Sequence, residues 1–449
     1  MAREYNMTKG PITAGLWRFA LPLMIGNVMQ QFYNLTDTWV VGRFIGSDAL
    51  GAVGASYALL TFLSSVIIGL CLGSSAYLAM AFGRGDKGAV RNGIFMAAVI
   101  TGAVTLTIIA IFYMGLPRII TLMQVSGSNA HLMEMYLFTV FFGFFFLYIY
   151  NLVTNILRGI GNSVVPLVFL GVSVGANVVL DVMFVAVLAW GIRGAALATV
   201  LAQIAAGVGI LMYFLVKYPQ YRLTREDMRW RKVPFSKIMK LSGYTCLQQS
   251  VMNFGILVVQ SIVNSFGPVV MAAFAVAVKI DTLAYSPVQD FGNAFSVFTA
   301  QNFGAGQGQR IRQGIRSAVV SVTIFSLAVS ALVCALAPWL MSLFVKENAA
   351  AILPVGVEYL RIEGACYLGI GILFLLYGYY RAIDKPMMSV VLTVISLGTR
   401  IGLALVLSRI EAIGVTGIWV AIPIGWFLAD AAGIFLGRRM RPMQEGELR

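Results

Sequence analysis

The chain has 449 residues, of which 59% are hydrophobic and 11% are charged, and its formal net charge is +14. Soluble globular domains carry about 25% charged residues, so this composition excludes a soluble protein. The basic residues lie between long apolar runs, where they indicate orientation in a membrane rather than binding to nucleic acid. We therefore expect membrane lipid as a partner and no nucleic acid.

Apolar runs long enough to cross a hydrocarbon core of about 30 Å recur along the chain and predict twelve membrane-spanning helices. The predicted spans lie near residues 15–41, 49–80, 93–115, 133–157, 164–189, 194–216, 237–266, 269–301, 317–345, 355–380, 387–408 and 414–436. The predicted fold class is thus an all-α polytopic membrane protein. An even number of spans places both termini on one side of the membrane.

The longest polar stretch divides the spans into two sets of six. It lies at residues 217–236 and is predicted to be a cytoplasmic linker between an N-lobe, residues 1–216, and a C-lobe with a cytoplasmic tail, residues 237–449. Of the 32 Lys and Arg residues, 24 fall on the side that holds the linker and the termini. Because cytoplasmic loops are enriched in positive residues, both termini are predicted to be cytoplasmic.

The two halves of the sequence are similar to each other. FGRGDKGAVRNG at 82–93 matches FGAGQGQRIRQG at 303–314 in five of twelve positions, with an offset of 221 residues. Gly46 and Gly267 share that offset, and Gly191 and Gly414 are related by an offset of 223. Since each half has six spans, the pattern predicts two six-helix lobes related by a parallel pseudo-two-fold repeat about an axis along the membrane normal.

Charged residues inside the spans are the main functional signal. A carboxylate at the bilayer centre costs at least ~2.5–3.5 kcal/mol, yet Asp37 lies in span 1 and Asp181 in span 5. Asn177 precedes Asp181 by four residues, so the two share a helix face. Two carboxyl groups with amides nearby predict either a proton site or a sodium site; the alternative is a purely structural hydrogen-bonded contact between helices.

Further polar residues within the spans are candidates for a substrate cavity: Gln30, Gln31, Asn34, Gln248, Gln249, Asn253, Asp281 and Arg400. Lys279 and Asp281 are expected to form an internal ion pair, for which structural and functional interpretations stay open. Glu363 and Asp430 lie nearer to span ends, and their side chains are expected to reach the membrane surface.

The sequence lacks familiar nucleotide-binding and catalytic motifs. It has no Walker A motif, no HExxH and no GxSxG, and its single histidine cannot supply a zinc site. We therefore predict no catalytic residues, no cofactor and no enzymatic activity. Any transport would be driven by an ion gradient.

Several segments in order resemble the prokaryotic branch of the multidrug and toxic compound extrusion (MATE) transporters over essentially the full length. They are DTWVVGRFIGSDALGAVGASY (37–57), LRGIGNSVVP (157–166), NVVLD (177–181), GIRGAALAT (191–199) and QNFGAGQGQRIRQG (301–314). The resemblance implies an antiporter of the prokaryotic inner membrane that exports cationic or amphipathic compounds in exchange for H+ or Na+. A monomer is expected.

The resemblance also implies roles for individual residues. The family's acidic positions fall on Asp37 and Asp181, and its accompanying polar positions on Asn155, Asn177 and Thr199. If the coupling ion is Na+, Asp37, Asp181 and Asn177 are its expected ligands. The family's helix-bending proline falls on Pro22.

One alternative function comes from the same wider superfamily, namely a flippase for lipid-linked saccharides. Such a protein would hold a pyrophosphate in a cationic cavity. Few cations lie deep within the spans, namely Lys279 and Arg400, so the antiporter is the favoured prediction.

Overall fold

The computed structural model describes residues 5–122, 128–345 and 348–439, and within these ranges the chain forms helices and no strands. Only structures that satisfy their backbone hydrogen bonds internally can cross a bilayer, and long apolar helices do so. The α-helices are α1 Ile12–Phe44, α2 Ser47–Gly83, α3 Lys87–Leu122, α4 Ser128–Gly159, α5 Val164–Asp181, α6 Gly191–Lys217, α7 Lys232–Asn264, α8 Pro268–Gly304, α9 Gly308–Ser342, α10 Ala349–Gly364, α11 Tyr367–Ala382, α12 Pro386–Leu407 and α13 Thr416–Arg439.

The predicted polytopic helical fold is confirmed. In the described ranges, eleven helices are long and apolar enough to cross a membrane, and α10 with α11 makes a twelfth span. This last pair is bent by 51° at a short break, where the sequence predicts one continuous span.

Contacts divide the chain into two compact units. Unit 1 contains Ile25–Cys246, and unit 2 contains Met7–Met24 and the chain from Leu247 onward. Helix α1 therefore contributes its first part to unit 2 and its remainder to unit 1, and α7 does the reverse. The boundaries of the two units therefore differ from those predicted for the lobes. The lobe boundaries, residues 1–216 and 237–449, remain a prediction from the sequence repeat.

The segment that leads into α1 is anchored within unit 2 by polar contacts. The Met7 backbone N–H donates to Oε1 of buried Gln301 at 2.9 Å, and the Asn302 amide donates to the Met7 carbonyl at 3.2 Å. The Arg310 guanidinium donates to the carbonyl groups of Met7, Lys9 and Gly10. These contacts hold the segment by its backbone, and side-chain hydrogen bonds between Thr13 and Ser317 and from Trp17 to Ser321 add to them.

Small residues let α2 and α7 approach closely within unit 1. A Cβ atom on Gly73 would clash with the Ser242 Cα, and one on Gly69 would lie 2.7 Å from the Cys246 Cα. The hydroxyl groups of Ser74 and Ser242 lie 2.8 Å apart in a hydrogen bond. Helices in lipid associate through this kind of close backbone packing at small residues.

The repeat also has a backbone signature. Gly46 and Gly267 precede α2 and α8 with φ of 120° and 92°, and Gly191 and Gly414 have φ of 61° and 54°. Residues with a side chain rarely adopt positive φ. The paired glycines therefore preserve the same turns in both halves.

A π-helical turn follows α5 directly, at Val182–Val187. Such turns are rare and are frequent at functional sites. Here the turn begins immediately after Asp181, so the change of helical geometry lies beside that carboxyl group.

Candidate functional site

Asp37 and Asp181 come together inside unit 1. Asp37 is half-buried on α1, and Asp181 is fully buried at the end of α5. The two carboxyl groups are close enough to repel each other electrostatically. One oxygen of each is buried without a hydrogen-bond partner among the described residues. The pair thus has unused acceptor capacity in a poorly solvated position.

Asn177 forms a hydrogen bond with Asp181 and a second one with Thr199. With the Asn177 amide oriented to satisfy its neighbours, its nitrogen donates to Asp181 Oδ2 at 2.8 Å. Its oxygen accepts the Thr199 backbone N–H at 3.3 Å. The orientation is assigned from the hydrogen-bond network. Asn177 therefore bridges α5 to α6 and holds one oxygen of the acid.

Two tyrosines that sequence reasoning missed belong to the same cluster. The Tyr33 hydroxyl donates to Thr199 Oγ1 at 3.5 Å, and both Tyr33 and buried Tyr136 interact electrostatically with Asp37 and Asp181. Tyr33 lies one helical turn before Asp37, a spacing that could have identified it. Tyr136 lies on α4, and no local pattern connects it to either acid.

A cavity of about 340 Å³ lies against this cluster within unit 1. Its polar and aromatic lining includes Gln30, Tyr33, Asp37, Tyr57, Thr61, Ser64, Tyr136, Phe144, Tyr150, Asn151, Thr199 and Gln203. Leu60 and Val140 contribute apolar wall. Among the described lining residues there is an acid and no lysine or arginine, so the wall has a negative or neutral character.

Among the described residues, no contact with the acid pair is seen for Asn155, Gln31 or Pro22. Asn155 is buried, but its amide donates to the Asn151 carbonyl of its own helix at 2.9 Å. Gln31 is half-buried and does not line the described cavity. Pro22 lies inside α1 in the part that belongs to unit 2. The Asn34 side chain lies outside the described residues.

Unit 2 contains a second buried polar cluster. Asp281 on α8 interacts with Glu363 on α10 and with Arg400 on α12, and the hydroxyl groups of Tyr359 and Tyr367 face the same carboxyl groups. Asp281 and Glu363 are buried. Two acids and one cation therefore share this site. Glu363 was not among the predicted cavity residues.

Three expectations for the carboxy-terminal half are wrong. Lys279 is exposed and is not among the electrostatic neighbours of Asp281, because residues two apart on a helix point to different faces. Glu363 and Asp430 are buried at 1% and 7% exposure rather than reaching the membrane surface. Each is enclosed by neighbouring helices of unit 2, which a count of residues to the span end does not reveal.

Gln248, Gln249 and Asn253 lie on α7 within unit 2. Gln248 is buried, and the other two are half-buried. None of the three is among the neighbours of Asp281 or Glu363. The structure thus brings together Asp281 and Arg400 from the predicted cavity residues of this half.

Comparisons with known proteins agree with this architecture. The family model MatE matches residues 22–183 and again residues 245–406, two stretches that begin 223 residues apart. The chain is 28% identical over 397 residues to the probable multidrug resistance protein YpnP of Bacillus subtilis, covering 88% of each. It is 21% identical over 435 residues to the multidrug export protein MepA of Staphylococcus aureus, covering 96% of this chain and 95% of MepA.

A solved structure has the same fold. The crystal structure of MATE in complex with MaL6 superposes with a TM-score of 0.92 at 24% identity, and the match covers 100% of this chain and 99% of that one. The double match of one family model at an offset of 223 residues confirms the internal repeat.

Proposed function

The chain belongs to the MatE family, and we propose on this premise that it is an efflux antiporter that exports cationic or amphipathic small molecules in exchange for H+ or Na+. Relatives described as multidrug resistance and multidrug export proteins support the substrate class. The coupling is argued below from the side chains of unit 1.

The observation that carries the proposal is the acid pair beside the cavity. Asp37 lines the cavity, while Asp181 is buried and does not line it. Two carboxyl groups this close and this poorly solvated favour neutralisation, either by a proton on one of them or by a sodium ion. Each acid keeps a buried oxygen without a partner. Carboxylate, amide and hydroxyl oxygens are ligands that suit a hard cation.

Coupling requires the ion and the substrate to favour different states of the transporter. A ligand shifts a conformational equilibrium only by its difference in affinity for the two states. Neutralising Asp37 and Asp181 changes the charge of the cavity wall, and therefore the affinity of that wall for a cationic substrate. Alternating exposure of the cavity to the two sides of the membrane would then exchange ion for substrate.

The cavity wall favours cations over anions. Its tyrosines and Phe144 offer aromatic faces that attract organic cations, and Asp37 supplies negative charge. A volume of about 340 Å³ lies within the range of small-molecule sites. A pyrophosphate would meet no cation among the described lining residues, which disfavours the lipid-linked saccharide flippase.

The test is ethidium efflux from liposomes that contain the purified protein, under an imposed pH gradient and then under a sodium gradient. We expect wild type to respond to one of the gradients, which names the coupling ion. Asp37→Asn and Asp181→Asn should fold, insert and fail to couple, because a neutral amide can neither take up a proton nor carry the charge.

The matched control is Asp86→Asn. Asp86 is exposed, and its carboxylate accepts the Ala89 backbone N–H at the start of α3, a cap that asparagine also makes. This variant undergoes the same chemical change and should transport like wild type. Full gradient-driven efflux by both Asp37→Asn and Asp181→Asn would overturn the assignment.

A further inference from the structure

The segment between α6 and α7, together with the first residues of α7, exposes large apolar side chains in a polar stretch of sequence. Met228 is 48% exposed, Trp230 is 59% exposed and Val233 is 67% exposed. The Trp230 ring packs on Phe235 in the first turn of α7, with ring centroids 4.4 Å apart. An exposed tryptophan and two exposed aliphatic side chains within six residues call for a partner surface.

Exposed cations alternate with these apolar residues. They are Arg222, Arg225, Arg229, Arg231 and Lys232. Of the two acids in the segment, Glu226 is exposed, whereas Asp227 is buried and paired with Arg91 at 2.8 Å. The outward surface of residues 222–233, which we term the basic linker surface, therefore combines positive charge with apolar side chains.

The backbone of this segment is fixed by hydrogen bonds to α3. The Asn92 amide donates to the carbonyl groups of Asp227 and Arg229 at 2.8 and 2.9 Å. Asp227 also accepts hydrogen bonds from the Thr224 hydroxyl and backbone N–H. Because Arg91 and Asn92 lie near the start of α3, the segment is fixed at the ends of membrane-spanning helices.

This position limits the choice of partner. Helix α6 ends at Lys217 and α7 begins at Lys232, so the segment lies where two spans leave the hydrocarbon. Tryptophan prefers the interface between lipid and water, and clustered Lys and Arg near a span end attract anionic headgroups. We propose that the basic linker surface is a docking site for anionic phospholipids, with Trp230 inserted among the headgroups and the arginines on their phosphates.

The test uses full-length protein in phosphatidylcholine bilayers that contain an equal fraction of either brominated phosphatidylglycerol or brominated phosphatidylcholine. Bromine quenches nearby tryptophan, and the difference between wild type and Trp230→Phe isolates Trp230 from the other six tryptophans. We expect stronger quenching of Trp230 by the brominated phosphatidylglycerol. Raised salt should weaken this preference, because exposed charges are screened.

Charge variants distinguish lipid binding at this site from a general effect of the protein's net charge. The triple change Arg225→Gln, Arg229→Gln and Arg231→Gln should abolish the preference for phosphatidylglycerol, and the tether survives because Asn92 binds backbone carbonyls. The matched control changes three exposed arginines elsewhere, Arg118→Gln, Arg193→Gln and Arg409→Gln, and should keep the preference.

Three results would overturn the proposal. The first is equal quenching by both brominated lipids, which would mean no selection for anionic headgroups. The second is quenching of Trp230 by aqueous acrylamide but by neither lipid, since the surface would then face water or a soluble partner. The third is equal loss of the preference in both triple variants.

Discussion

The two halves of the chain use equivalent repeat positions for opposite chemistry. At an offset of 223, Tyr136 corresponds to Tyr359, and both lie in buried acidic clusters. At the same offset, Asn177, which donates to Asp181, corresponds to Arg400, which faces Asp281 and Glu363.

Apolar and acidic positions are exchanged in the same way. Val140 lines the cavity of unit 1 and corresponds to Glu363 at an offset of 223, and Leu60 corresponds to Asp281 at an offset of 221. Asp181 corresponds to the buried Ala404. Unit 2 thus has a covalently attached cation beside its acids, whereas the described cluster of unit 1 has none. The proposed coupling therefore assigns an exchangeable counter-ion to unit 1, whereas Arg400 supplies a fixed cation in unit 2.

The strongest way to break this comparison is to give unit 1 the cation of unit 2. Asn177→Arg places a guanidinium beside Asp181, and we expect gradient-driven efflux to fall to the rate of protein-free liposomes, because the acid pair is then permanently neutralised in part. Thermal unfolding should show that the variant folds. Asn177→Gln keeps an amide and should retain more transport; efflux at the wild-type rate by Asn177→Arg would contradict the comparison.

The reverse change tests unit 2. Arg400→Asn removes the half-buried cation that faces Asp281 and Glu363, and leaving buried acceptors without a donor costs about 1–3 kcal/mol of stability. The measurement is the free energy of unfolding in detergent. Adding Glu363→Gln should recover part of the loss, since one of the two like charges is then removed. If Arg400→Asn alone were as stable as wild type, Arg400 would not balance the charge of the two acids.

A smaller effect is expected from Tyr33→Phe. The substitution removes the hydrogen bond to Thr199 and keeps the aromatic face toward the cavity, and one such bond contributes about 1 kcal/mol, roughly fivefold in affinity. We expect the apparent affinity for the driving ion to change by up to that factor, with the maximal rate retained. Tyr57→Phe, at another tyrosine of the same cavity, serves as the control.

The smallest effect concerns Asp227, an acid outside the membrane-spanning helices whose Oδ2 accepts hydrogen bonds from Arg91 and Thr224. Burial alone would raise the pKa of Asp227, but hydrogen bonds from Thr224 and Arg91 outweigh it and hold this pKa below its ordinary value. The ionised form therefore stabilises the fold above the ordinary pKa of about 4, and this contribution is lost as the pH falls through the lower pKa of the folded state.

Replacing Asp227 tests that sign. We expect Asp227→Asn to lower the free energy of unfolding by about 1 kcal/mol at neutral pH, with the difference from wild type disappearing in acid. Measuring unfolding of both proteins across this pH range checks it. A difference that persists unchanged at low pH would assign the effect to lost packing rather than to charge.

Local sequence features account for the parts of the fold that could be predicted. Each span is an apolar run of sufficient length, and Asp37 and Asp181 stand out because a carboxylate inside such a run is costly. The break between α10 and α11 went unpredicted, since the apolar run continues across it. The π-helical turn after Asp181 likewise leaves no mark in hydropathy.

Convergence between helices explains what was missed at the sites. Tyr136 and Glu363 reach their clusters from α4 and α10, and the sequence records neither which helices are neighbours nor which faces meet. The error over Lys279 has a simpler cause. A separation of two residues suggested contact with Asp281, although helical geometry sends the two side chains to different sides.

The anchoring of the amino-terminal part of α1 affects how the protein is made. Met7 and Thr13 hydrogen-bond to Gln301 and Ser317, which are 294 and 304 residues further along the chain. Proteins emerge from the ribosome amino terminus first, so this segment is synthesised early and reaches its final partners only after most of the chain has been translated. Contacts of such long sequence separation form slowly. Completion of unit 2 is therefore a late event in biogenesis, and truncated chains that stop before α8 would leave the start of α1 without its docking site.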